Sequence, residues 1–112
     1  MSEHNDLVGL YKEIPKECRI NMIRLCNNGN WEIGRSYDCY VDRGDDFASH
    51  ILCHAAEEWL KTRCDLVQVQ WDCNVFYSVV VQSRERDTVV FGKTKPAALS
   101  YAVAAAVEWR KG

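Results

Sequence analysis

Three stretches of this 112-residue chain set polar or reactive side chains at spacings that chemistry uses. The first is "HILCHAAEE", residues 50–58. On a helix, His50 and His54 leave from the same side, with Glu57 and Glu58 about one turn further on. Metal-binding helices use this spacing. The metalloprotease form, however, needs a glutamate directly after the first histidine, where this chain has Ile51. Two solvated histidines are the simpler reading, and a metal or Cys/His-dependent site on His50, Cys53 and His54 is the alternative. Adjacent helical residues diverge by about 100°, so Cys53 next to His54 does not by itself make a nucleophile–base pair.

The second stretch is "FGKTKPAALSYAVAAAVEW", residues 91–109, where Gly92-Lys93-Thr94 stands ahead of a helix. A nucleotide-binding phosphate loop needs a further glycine five residues before Gly92. Asp87 holds that position and would repel phosphate, and the intervening "TVVF" spells a strand. A helix start capped near Thr94 or Lys95, with solvated lysines, accounts for the spelling. The remaining functional version is a single-anion or nucleic-acid contact through Lys93, Thr94 and Lys95. The third stretch, "LVQVQWD", puts Gln68, Gln70 and Asp72 on one face of a strand. That face, with Ser78 beside it, is either ordinary solvated sheet or a platform for a partner. These residues are the candidate binding positions; no catalytic set and no cofactor is expected.

Composition narrows the field. Acids outnumber bases 16 to 14, and the net charge of −2 gives no general attraction to nucleic acid or to an anionic membrane. Residues 1–46 carry a net −3 and residues 47–112 a net +1, so neither half is a phosphate-tracking surface. No apolar run reaches the length of a membrane span, and the acidic start "MSEHNDLVGLYKE" lacks the form of a signal peptide. A cytoplasmic location follows as the expectation, with the six cysteines reduced and mostly buried. Their spacings contain no C-x-x-C pair, which removes the common zinc-ribbon and redox signatures.

The elements that must position these residues read as one α+β domain over 1–112. Asp6 to Ile14 predicts a short helix capped by Asp6 and stopped by Pro15. "RINMIRLCNNGNWEIGRSY" predicts a hairpin turning at Asn28-Gly29, with Ile20, Met22 and Cys26 alternating on one strand and Trp31, Ile33 and Tyr37 on the other. Residues 46–112 follow as α-β-β-β-α. A helix spans about Asp46 to Thr62, its apolar arc running from Phe47 to Leu60 and its polar arc holding His50, His54, Glu57 and Lys61. Three strands come next, with "VFYSVVVQ" as the central one and "SRERD" as a charged turn. The fold class is therefore an antiparallel sheet with two main helices packed on one face, preceded by an N-terminal helix and hairpin. The last helix is apolar nearly all round, with Ala98, Tyr101, Ala104 and Ala105 behind the stripe of Leu99, Ala102, Val103, Ala106 and Val107. Either the N-terminal segment or a second copy of the chain must cover that back.

Two resemblances attach to these stretches. "DDFASHILCHAAEEWLKTR", "VQWDCNVFYSVVV" and "TKPAALSYAVAAAVEW" resemble, in order and spacing over about residues 45–110, small bacteriophage proteins of the phage ABA sandwich type. This implies a non-enzymatic phage accessory protein that blocks or sequesters a host factor, possible targets including a component of an antiviral defence. The α-β-β-β-α order and the phrase "GKTKPAALSYAVAAAV" are also similar to the double-stranded RNA-binding domain. There, Pro96 and Leu99 stand where that family has lysines, and "WDCN" is too short for its minor-groove loop, so nucleic acid is disfavoured. The expected partner is a host protein. A homodimer through the Ala-rich C-terminal helix is the further expectation, and no membrane partner is expected.

Overall fold

β-Branched residues fix the centre of the larger sheet. In the computed structural model, which describes residues 2–15, 23–25, 31–36, 39–43, 45–72, 75–84 and 86–111, β4 (Leu66–Asp72), β5 (Phe76–Ser83) and β6 (Arg86–Gly92) form an antiparallel sheet in chain order. The valine-rich strand is central, as its composition demands. Val79 and Val81 of β5 are fully buried. Their cross-strand partners Val69, Val67, Val90 and Thr88 lie on the same face. Alternation therefore sends Leu66, Gln68, Gln70, Ser78, Val80, Val89 and Phe91 to the opposite face. The α+β class is as expected.

Two helices cover the valine face. α2 (Asp45–Arg63) and α3 (Lys95–Lys111) contribute Ala48, Leu52, Ala56, Trp59 and Leu60, and Ala98, Leu99, Ala102, Val103 and Ala106, to a single core. Among the described side chains both helices keep to the predicted stripes, Phe47 lying outside them, with one addition and one change. Cys53 lies in the core at 4% exposure, and Ala98, expected on the back of α3, is fully buried. Small residues at 98, 102 and 106 let a neighbouring helix approach closely. That neighbour is α1 (Ser2–Glu13), which packs against α3 and carries Leu7, Leu10 and Ile14 into the same core. The N-terminal segment thus packs on α3, while on its back Ala104 and Ala105 are half-buried and Tyr101 is 57% exposed.

The first helix differs from the reading of 6–14. It begins at Ser2, so Asp6 lies inside it rather than capping it. Helix propensity and the burial of Leu7 and Leu10 override the cap signal. The hairpin exists as β1 (Ile23–Leu25) and β2 (Trp31–Ser36), paired Leu25↔Trp31 and Ile23↔Ile33. Its apolar face is set by Ile23, 6% exposed, together with Leu25 and Trp31. The expected alternation of Ile20, Met22 and Cys26, the Asn28-Gly29 turn and Tyr37 fall outside the described residues. A third strand, β3 (Cys39–Arg43), pairs with β2 and was not legible from composition. The charged "SRERD" is shorter as a turn than it reads. Ser83 pairs with Arg86, and Arg84 takes a positive φ of 47° while its N–H donates to Asp65 Oδ2 at 3.0 Å. Among the described residues, no helix is long and apolar enough to cross a membrane.

Candidate functional site

The start of α3 is built from both ends of the chain. Thr94 caps the helix: its Oγ1 accepts from Ala97 N–H at 3.2 Å, and its carbonyl accepts from Ala98 N–H at 3.1 Å. The same hydroxyl donates to Asp6 Oδ2 of α1 at 2.8 Å. A carboxylate thus already stands at the positive end of α3, where an external anion would bind. Lys95, the second candidate cation, pairs with Glu57 Oε1 of α2 at 3.1 Å. Lys93 is exposed beside a depression lined by Asp6, Phe91, Gly92, Ala97 and Tyr101. Lys93, Thr94 and Lys95 are neighbours, but two of the three have partners within the protein.

His50, Cys53 and His54 do share a depression, with Ser49, Glu57 and Lys95 around it. The two histidines are exposed at its rim, whereas Cys53 belongs to the core, its Sγ 3.7 Å from Ser49 Oγ. Among the described residues, no group of three or more His, Cys, Asp or Glu side chains is placed to hold a metal ion. What separates the three is depth: His50 and His54 are exposed, while Cys53, three positions from His50, is 4% exposed and packs in the core. Cys64 is also buried; burial and the neighbouring Asp65 carboxylate push its thiol above the ordinary range, which keeps it protonated and a poor nucleophile.

The third candidate set lies on the sheet. Gln68 and Gln70 are exposed on the face of β4–β5–β6 away from the helices, and Asp72 occupies the next alternate position of β4, opposite Phe76. The expected polar face also carries apolar side chains. Across Ser78 and Val80 of β5, the edge strand presents Val89, 48% exposed, and Phe91, 55% exposed. Phe91 meets Phe76 edge-on with ring centroids 5.3 Å apart. Ser78, between Gln70 and Phe91 in register, is 5% exposed, although no helix among the described residues covers this face. Leu66 adds a further exposed apolar side chain at 38%. Sequence reasoning missed Val89 and Phe91 because "TVVFG" shows apolar residues on both parities, and only the register says which parity meets the helices.

No protein-family model matches the chain, nor does any curated protein or solved structure.

Proposed function

We propose that this protein is a non-enzymatic binding module whose docking surface is the open face of β4–β5–β6. The observation that carries the reading is the run of Leu66, Val80, Val89 and Phe91 beside Gln68 and Gln70 on a sheet face that no described helix covers. Apolar side chains grouped on an open face and bordered by amides are the composition of a protein-binding patch. Gln68 and Gln70 supply hydrogen-bonding groups at its edge, and Phe91 the aromatic anchor. The resemblance to small phage proteins gives the finer form of the proposal: a cytoplasmic phage accessory protein that occupies a host protein, such as a component of an antiviral defence, and blocks it.

The test is capture from a bacterial lysate, with mass spectrometry of bound proteins and nucleotides, using the native chain and the double variant Gln68→Arg, Gln70→Arg. Both glutamines are exposed, so the variant keeps the core intact while placing two charges on the patch. A host protein retained by the native chain should be reduced at least tenfold on the variant. Equal retention by both, or recovery of nucleic acid alone in a salt-sensitive form, would overturn the reading.

A further inference from the structure

β6 is one of the two edges of its sheet, and among the described residues no strand pairs with its free side. Such an edge presents unpaired backbone N–H and C=O groups at alternate residues. Proteins usually blunt these edges with lysine, proline, a bulge or brevity. β6 has none of these. It runs seven residues from Arg86 to Gly92 with neither lysine nor proline. Its register with β5 is unbroken from Ser83↔Arg86 to Tyr77↔Gly92. Only Arg86 and Asp87, at one end, are charged.

We propose that this edge pairs with the same edge of a second copy of the chain, antiparallel and centred on Val90. An antiparallel pair of identical strands is self-complementary about a two-fold axis, so every contact occurs twice. Centring on Val90 sets Val89 opposite Phe91 of the partner and Thr88 opposite Gly92, and it brings Asp87 towards Lys93, in the bend just past the end of β6. The two apolar residues exposed on the open face, Val89 and Phe91, then cover one another. Lys93, exposed in the bend that follows β6, has the partner's Asp87 near it on each side of the axis. Other centres lose the match: pairing about Val89 sets Asp87 against Phe91. β4, the other edge, does no better, since self-pairing about Val69 sets Asp72 against Leu66. The two three-stranded sheets would join into one continuous sheet, and the open face would double in width.

Charge reversal tests the register. In sedimentation equilibrium at low ionic strength, the native chain should show a species of twice its 12.9 kDa mass. Asp87→Lys sets like charges near one another at two places, as does Lys93→Asp. Because each reversal acts at both symmetry-related places, each single variant should raise the dissociation constant by about tenfold or more. The double variant, Asp87→Lys with Lys93→Asp, should restore it. Both positions are exposed, and circular dichroism is the check that the variants fold. A chain that stays monomeric up to millimolar concentration overturns the proposal, and so does a dimer indifferent to the single reversals or not restored by the double. The readout is independent of lysate capture by the open face, so either idea can fail without the other.

Discussion

Thr94 holds more of the α3 start than its capping role requires. Its one hydroxyl accepts from Ala97 N–H and donates to Asp6, so a single oxygen joins the helix end to a residue 88 positions earlier in the chain. The Asp6 carboxylate also faces the positive end of the α3 dipole. Thr94→Ala removes both bonds and should cost about 1–2 kcal/mol of unfolding free energy. Asp6→Ala removes only the second and should cost less. In a double-mutant cycle read by denaturant unfolding, the two should fall short of additivity, because they share one bond. Additive losses would mean that the Asp6–Thr94 contact contributes nothing. The cap at Thr94 was legible from the sequence, since a β-branched hydroxyl residue two positions before a proline is a helix-start signature. Asp6 was legible only as a local cap. Its actual partner follows from the docking of α1 onto α3, a contact too distant in the chain for any local pattern to announce.

Between elements, the close approach of β6 to α3 depends on Gly92. A Cβ there would stand 2.5 Å from Ala98 N and 3.0 Å from Ala97 carbonyl carbon and Cβ. Those are mainly backbone atoms, which cannot swing aside. Gly92→Ala should therefore cost about 1–3 kcal/mol. Gly9 is the opposite case: it lies in the interior of α1 with nothing within 4 Å of an added Cβ. Gly9→Ala should stabilise the protein by about 0.4–1 kcal/mol. Thermal or denaturant unfolding of the two variants should move in opposite directions. The sequence presented Gly92 as part of a phosphate-loop spelling; its measurable role is to let a strand end pass against a helix. The five long elements of the second half were readable: α2 and β4 by their periods of about 3.6 and 2 residues, β5 and β6 as short apolar β-branched runs bounded by turns, and α3 by its capped start and small apolar residues. β3 was not, because its five residues offer too short a pattern to separate from a loop.

For the molecule as a whole, Trp31 joins the N-terminal sheet to the rest. It is fully buried and contacts Tyr11 of α1 edge-on at 5.4 Å, with His4 at 6.3 Å. α1 in turn covers α3, so a loss at Trp31 loosens the cover over the Ala-rich helix. Trp31→Ala should cost about 3–5 kcal/mol, a large fraction of the roughly 5–15 kcal/mol that a domain of this size commands. Trp31→Phe should retain most of it. The check is the unfolding midpoint, together with the protection of α3 amides from hydrogen exchange, which should fall with Trp31→Ala. A variant as stable as the native chain would show that the N-terminal sheet is dispensable to the core. Local physics in the sequence determined the α+β class, the central strand, the two main helices and the capped start of α3, since each rests on composition, periodicity or near neighbours. The tertiary structure alone decided that α1 packs on α3, that Ala98 is buried, that Asp6 and Glu57 pair with Thr94 and Lys95, and that Val89 and Phe91 face outward. Those outcomes depend on register and on contacts between distant segments, where a shift of one residue exchanges the faces of a strand while leaving its composition unchanged.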